Sequence, residues 1–519
     1  MMLFLSYIAV VAVLADNPSL VLKLNISRDS SQFADTLSVA DSTQLDESVD
    51  IPLDFFEDKS NVQDLSLEEC IQLAVKHNRI LRVFRLSQNS AKIHLKMAES
   101  RFLPSANISG GRNESRNDDL GYVITKTGLS SSLGFSRALE TGGAVSLNLN
   151  TNSSESSNNP GVTNYTTNIG VYLNQPLMAG AGIEVNLIPI KRAQAYANLS
   201  LLNIKQNLID LITRIESQYW DLILVYEDYK IQLEALQRAK DLLEINRSLI
   251  ESGRMASQEI VQAESDVATR EISVAGAENA ITNTQIFLQA QLDLGKRIWI
   301  RPTTKMTFRP VEIQIEDCLE AAFANRPDWL INKFYMDIEK MNLKVARNQN
   351  RYTLGCYAGV ASNATSDREF ITTAREAFGF KTITWNVGLS FNFPFNKQVL
   401  ENGYQLQKLS HDRQLLYVAE LEDNIRIAIE NAVRHVKYSL EQVHLAQRAK
   451  ELADKKLNLE QEKMKVGRST NFQVISYQRD LTNAQNGELR AIATYLKALG
   501  ALEQTMGTTL KKWNVEIED

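Results

Sequence analysis

Two patterns of apolar positions alternate along this chain. From Leu201 onward, Leu208, Ile215, Leu222, Tyr229, Leu236, Leu243 and Ile250 recur at a spacing of seven. That predicts a helix of about 65 residues, nearly 100 Å long at about 1.5 Å per residue. Later, Val418, Ile425, Ala432, Ser439, Ala446 and Ala453 keep the same spacing, with Ile429, Val436 and Val443 as a parallel stripe. Two stripes predict two helical neighbours per helix, as in a closed ring. Each long helix should end at a glycine, Gly253 or Gly467, and turn into a second, antiparallel helix. The returning seams are Ile260, Ala263, Val267, Val274, Ala277, Ile281 and Leu288, then Val474, Tyr477, Leu481, Ala484, Ala491, Tyr495, Ala498 and Leu502. Their spacing of about three and four is that of a coiled coil. Ser469, Thr470 or Asn471 can cap the second return helix.

Between the helical stretches the period falls to two. Val145, Leu147 and Leu149 alternate with Ser146, Asn148 and Asn150; Ile169, Val171 and Leu173 alternate with Gly170, Tyr172 and Asn174. In the second half, Thr353 to Ser362 reads as one strand. There too, Trp385, Val387, Leu389, Phe391 and Phe393 alternate with Asn386, Gly388, Ser390 and Asn392. Strands are therefore expected over about 104–175 and 352–393, with a hairpin turn at Thr141-Gly142-Gly143. Short helices should precede each set: Ser66 caps one running to about His77, and another runs from about Ile80 to Arg101.

The chain is one unit written twice. Gly253-Arg254-Met255-Ala256-Ser257 matches Gly467-Arg468-Ser469-Thr470-Asn471 at an offset of about 214 positions. Glu69-Cys70-Ile71-Gln72-Leu73-Ala74 resembles Asp317-Cys318-Leu319-Glu320-Ala321-Ala322. Repeats are expected over 65–300 and 301–510, with 511–519 as a tail.

The polar strand positions decide what the strands face. A soluble sandwich would carry Lys and Glu there, whereas these are small, uncharged Ser, Asn and Gly. Apolar residues outward and uncharged polar ones inward is the pattern of a transmembrane barrel. Four clear strands, or six if the Gly142 hairpin counts, fall short of the roughly eight that the smallest barrels need. Closure must come from several chains.

Composition adds little chemistry. A net charge of −6 in 519 residues gives no reason to expect a nucleic-acid partner. Cys70, Cys318 and Cys356 form no Cys-x-x-Cys pair and are expected as free, buried thiols. The five histidines make no metal-ligand pattern, and no cofactor or catalytic motif stands in a suitable context, so no enzyme is expected. Residues 1–15 are nearly all apolar yet too short to span a bilayer, and end in Val13-Leu14-Ala15; they read as a secretory signal. Residues 16–64, rich in Ser, Asp and Asn, read as a linker or poorly ordered arm.

Taken in order, Leu65-Ser-Leu-Glu-Glu-Cys-Ile-Gln-Leu-Ala, Asn174-Gln-Pro-Leu-Met-Ala-Gly-Ala-Gly, Gln218-Tyr-Trp-Asp-Leu and the Gly467 tip with its 495–507 tail resemble the TolC-type outer-membrane efflux family. The resemblance covers almost everything from Leu65 to Leu510. It implies a mixed α and β membrane protein: a TolC-like trimer with two repeats per protomer. A β-barrel in the outer membrane would continue as a long α-helical barrel across the periplasm of a Gram-negative-type bacterium. The function implied is a passive exit duct for a tripartite efflux or type I secretion system. Its partners would be a homotrimer, a periplasmic adaptor, an inner-membrane pump and outer-membrane lipid. The alternative is a periplasmic coiled-coil scaffold or adaptor without a pore.

By the same resemblance, Gly253, Arg254, Met255 and Ala256 with Gly467, Arg468, Ser469 and Thr470 form the periplasmic tip that docks the adaptor. Glu259, Gln473 and Ser476 stand at the constriction; Glu259 is acidic, whereas Gln473 and Ser476 replace acids common in the family. The strand pattern assigns Ser146, Asn148, Ser390 and Asn392 to the barrel lumen, and Val145, Leu147, Val387, Leu389 and Phe391 to the lipid face.

Overall fold

The computed structural model describes residues 61–119, 122–157, 161–293, 298–367 and 369–515. The expected signal segment 1–15, residues 16–60 of the expected arm and the last four residues lie outside them.

Each repeat opens with two short helices. In the first, α1 (Leu67–His77) is started by Ser66. The Ser66 hydroxyl accepts from the Glu69 amide, and the Glu69 carboxylate accepts from the Ser66 amide at 2.7 Å, which satisfies two otherwise orphaned donors. Helix α2 (Arg79–Glu99) follows after Asn78, whose side chain accepts from Ile80 and Leu81. The repeat closes with the 64-residue α3 (Ile188–Glu251) and the returning α4 (Glu259–Leu292). The second repeat supplies α5 (Ile315–Asn325), α6 (Pro327–Gln349), a nine-residue α7 (Phe370–Phe378), the 68-residue α8 (Gln398–Lys465) and α9 (Asn471–Met506).

The short and returning helices stack end to end. Asn78 donates to the carbonyl of Gln291 at 3.1 Å and the Arg79 amide to Asp293 at 3.1 Å, so α2 continues the line of α4. In the second repeat Arg326 donates to the carbonyl of Thr505 at 3.2 Å, and α6 continues the line of α9. Both joints have a left-handed residue after the returning helix, Asp293 (φ 52°) and Gly507 (φ 72°). Each repeat is thus one unbroken long helix beside one broken helix. Together they make a wall four helices wide, with α3 packed against α2, α4, α6 and α9, and α8 against α6 and α9. Among the described residues, the flanks of that wall, α2 with α4 on one side and α8 on the other, have beside them only the short helices α1 and α5.

Two expectations about the seams need correction. On α8, Ile425, Ile429, Val433, Val436, Ser439 and Val443 form one buried seam, so the two stripes read from the sequence are the two sides of a single contact. The second face of α8 is a different row, Tyr438, Leu445, Leu452 and Leu459, and it is exposed. On α3 the buried row leaves the strict sevens after Tyr229 and runs through Ala235, Ala239, Leu242 and Asn246. A straight helix drifts by about 20° per heptad, which moves the buried face by one residue over five heptads.

Val62–Leu65, at the end of the expected arm, is strand β1 and pairs in parallel with β6 (Trp299–Pro302). This ribbon crosses the middle of α3, where the Tyr219 hydroxyl donates to the Leu65 carbonyl at 2.9 Å. Gln285, a polar residue within the α4 seam, donates to the carbonyl of Ile300 at 2.5 Å and accepts from its amide at 3.1 Å. The expected tail begins as packed structure: Trp513 and Val515 lie against the core around α1 and α3.

The remaining strands form one six-stranded antiparallel sheet: β2 (Ser105–Asp119), β3 (Tyr122–Ala138), β4 (Ala144–Ser156), β5 (Thr163–Pro176), β7 (Thr353–Ser366) and β8 (Ile383–Asn392). The repeats contribute unequally. Between its outer strands the first repeat inserts the β3–β4 hairpin, turned at Gly142 (φ 97°), and the second inserts α7. Cys70 and Cys318 are buried, and burial pushes the Cys70 thiol up to about 12. Cys356, on β7, is only half-buried, contrary to expectation.

Candidate functional site

The register of the sheet sorts its residues into two faces that persist across all six strands. One row reads Ala106, Phe135, Leu147, Val171, Val360, Trp385, and the next reads Ile108, Leu133, Leu149, Ile169, Ser362, Ile383. Val145, Val387, Leu389 and Phe391 belong to this face. The opposite rows read Ser105, Ser136, Ser146, Tyr172, Gly359, Asn386 and Asn107, Gly134, Asn148, Gly170, Ala361, Thr384; Ser390 and Asn392 lie on this side. The four polar and five apolar residues singled out from sequence therefore segregate onto opposite faces.

The polar face is knit laterally. Asn168 donates to Asn363 at 2.5 Å, Asn363 to Thr384 at 2.9 Å, and the Ser109 and Ser132 hydroxyls meet at 2.6 Å. Tyrosine rings lie across glycines on this side. A β-carbon at Gly359 would stand 2.6 Å from the Tyr172 ring, so only glycine lets the ring lie flat there. The apolar face is bare of protein over most of its area: Trp385 is 74% exposed, and Val171, Val360 and Leu389 are exposed too. Both sheet edges, β2 and β8, are unpaired among the described residues.

At the opposite end of the long helices the two tips share one geometry. Gly253 (φ 72°) donates to Ile250 at 2.9 Å and Arg254 to Leu249 at 2.8 Å; Gly467 (φ 73°) donates to Met464 at 2.9 Å and Arg468 to Lys463 at 2.8 Å. Both are glycine-closed helix ends of the Schellman type. After the first tip, Met255 and Ala256 lead to α4, which begins at Glu259 without a side-chain cap. After the second, Thr470 caps α9 by accepting from the Gln473 amide at 3.4 Å. The starts of α4 and α9 touch, since buried Asn471 donates to the Glu259 carbonyl at 3.4 Å. Glu259, Gln473 and Ser476 thus lie within the first two turns of adjacent helices. The Gln473 carboxamide folds back toward the Ser469 hydroxyl, 3.3 Å away.

Sequence reasoning missed Glu460. It accepts from Ser469 at 2.6 Å and pairs with Lys463 at 3.0 Å, and these two partners hold its carboxyl below the usual range. The missed signal was a charged residue facing inward seven positions before the tip glycine. A second buried charge group joins the chain's end to its middle. Lys512 bridges Glu216 at 3.0 Å and Glu503 at 2.8 Å, while Gly500 leaves room for the Glu216 carboxylate. Burial pulls Lys512 down, but the two carboxylates outweigh it and leave it raised; Glu503 is raised by burial, against Lys512. Among the described residues no His, Cys, Asp and Glu group is arranged to hold a metal ion, and no helix is long and apolar enough to cross a membrane.

Residues 70–292 match the family model described as "Outer membrane efflux protein". That stretch is similar to outer membrane efflux proteins. Solved structures of similar fold cover nearly the whole chain. CusC, in crystal structures concerned with folding and transmembrane channel formation, is 14% identical, with a TM-score of 0.66 over 91% of this chain and 100% of its own. The outer-membrane channel OprN is 14% identical, with a TM-score of 0.64 over 91% and 99%. The CmeC outer membrane channel of Campylobacter jejuni is 15% identical, with a TM-score of 0.63 over 92% and 94%. At these identities the likeness is one of fold. A comparison with curated proteins finds no match. The matched family model and the channels of similar fold are both those of outer-membrane proteins.

Proposed function

We propose that this chain is one protomer of a homotrimeric, water-filled exit duct through the outer membrane. The observation that carries the reading is the unbroken two-faced register of a sheet whose two edges are both open. β2 and β8 run in opposite directions, so β8 of one copy can pair with β2 of the next and keep the order antiparallel. Three copies would bring eighteen strands, a size at which barrels of about 16–18 strands enclose an aqueous channel. Ser146, Asn148, Ser390 and Asn392 then line the bore, and Val145, Leu147, Val387, Leu389 and Phe391 meet lipid.

The wall supports the same closure. The exposed Tyr438, Leu445, Leu452 and Leu459 of α8 repeat at seven, and the opposite flank presents Val261, Ile272 and Ile286 of α4 below Ile80, Val83 and Leu86 of α2. Such rows left on water would favour association. Chemistry is not required of a duct. An energised inner-membrane pump would drive transport, through an adaptor docked at Gly253–Ala256 and Gly467–Thr470, with Glu259, Gln473 and Ser476 at the narrow end. A scaffold without a pore leaves the bare apolar face of the sheet without a purpose.

The test is mass and conductance. Protein purified in mild detergent should have the mass of three chains by native mass spectrometry and should open steady conductance steps in planar bilayers. A stable, water-soluble monomer without conductance overturns the reading.

A further inference from the structure

Helix α7 lies at the outer end of the sheet, between the far end of β7 and the near end of β8. Thr373 and Ala377, one turn apart, are its buried residues. The sheet offers it a matching patch of small residues, Thr151, Thr167, Ser362 and Ala364, all buried and all on the apolar face. The helix therefore sits on the side that carries Leu147, Val171 and Val360, away from the polar rows. Its own outer side presents Ile371, Arg375 and Phe378, and Phe380 follows the end of the helix.

The position along the strands is as informative as the face. From Phe391 back to Ile383 the apolar face spans about 27 Å at about 3.4 Å per residue, near the roughly 25 Å band of outer-membrane barrels. The next row outward, Gly110, Ser131, Thr151, Thr167 and Ala364, has no large apolar side chain, and the row after it, Arg112, Leu129, Ser153, Tyr165 and Ser366, has one aromatic ring. Bilayer-spanning barrels place aromatic rings at such a boundary. At the inner boundary this sheet supplies its own, with Phe391, Phe393 and Phe395 stacked at 5.5 Å intervals. At the outer boundary the strands supply only the half-buried Tyr165, and α7 with the residue after it adds Phe378 and Phe380.

Phe380 also holds a left-handed backbone (φ 50°) while its side chain is 53% exposed. A bulky residue there is strained, with little protein contact in return. We infer that α7 is an interfacial helix that beds Ile371, Phe378 and Phe380 into the headgroup–acyl boundary of the outer leaflet, with Arg375 reaching to the headgroups. This rests on the reading of the sheet's apolar face as the lipid face.

The experiment uses the full chain in lipid vesicles, its three native cysteines replaced by alanine, carrying an environment-sensitive fluorophore on F378C or, separately, I371C. V171C, mid-band on the sheet, is the control, and each labelled chain is first checked for native assembly. Nitroxide lipids then quench from a position high on the acyl chain or near its end. Positions 378 and 371 should be quenched more strongly by the high nitroxide, and position 171 by the deep one. Quenching at 171 with only aqueous iodide quenching at 378 and 371 refutes the interfacial helix, as does shielding of both from lipid and water by a neighbouring copy. No lipid quenching at 171 either would refute the lipid-face reading itself.

Discussion

Three glycines with the same left-handed backbone differ in what surrounds them, and that sets what each tolerates. A side chain at Gly253 or Gly467 would point into open space, whereas a β-carbon at Gly507 would stand 2.9 Å from the backbone of Arg326. Gly467→Ala should therefore cost only the backbone term, about 1 kcal/mol, and Gly507→Ala distinctly more. Chemical denaturation of both variants tests the order; equal losses would contradict it. Gly253 and Gly467 were legible in sequence as helix ends, but their difference from Gly507 was not, because it depends on a residue far away in the chain. Glu460 offers a pH test. Its folded pKa is depressed, so its contribution is present above the ordinary carboxylate range and disappears as pH falls through the folded value. Hydrogen exchange at residues 467–471 should accelerate on acidification, and Glu460→Gln should remove most of that dependence.

At the level of elements, periodicity revealed each long helix and strand face, because burial on one side leaves a regular mark. It could not tell which neighbour a stripe serves. The α8 residues Ile425 and Ile429 looked like two contacts and make one, while the Leu445–Leu452 row that faces away was overlooked among charged neighbours. Nor could it reveal end-to-end stacking, which rests on a few hydrogen bonds from Asn78, Arg79 and Arg326. The segment at 511–519 gave no periodic signal, yet Lys512 is its anchor. Lys512→Met would strand Glu216 and Glu503 and should cost about 2 kcal/mol, below the ~3–5 of fully buried pairs because Lys512 keeps a third of its side chain exposed. The loss should shrink at acidic pH as the stranded carboxylates protonate; a pH-independent loss in thermal melts would contradict the pairing. On the sheet, Leu147→Lys or Leu389→Lys puts a charge on the proposed lipid face, at about 2–4 kcal/mol near the bilayer centre. Outer-membrane yield should fall for both, whereas Ser146→Lys should assemble. The reverse result would mean the faces are exchanged.

Among the described residues, six strands with two unpaired edges continue into four helical columns whose flanks carry exposed apolar rows. The two halves have matching tips in the sequence, and matching turns and matching broken helices in the structure. The unequal strand count, four from one half and two from the other, showed only as an open choice between four and six strands, because a hairpin and a short helix occupy equivalent places. If copies close the ring through α8, then Leu445→Glu with Leu452→Glu should dissociate the assembly in detergent while helical circular dichroism stays unchanged. Loss of helicity together with assembly would instead place those leucines in the fold of one chain. The most direct test is electron microscopy of the purified protein viewed down its long axis. The account predicts a threefold ring around an open, stain- or water-filled centre running from the strands into the helices. A solid particle, or a single chain whose own β2 and β8 meet to close a barrel, would contradict it.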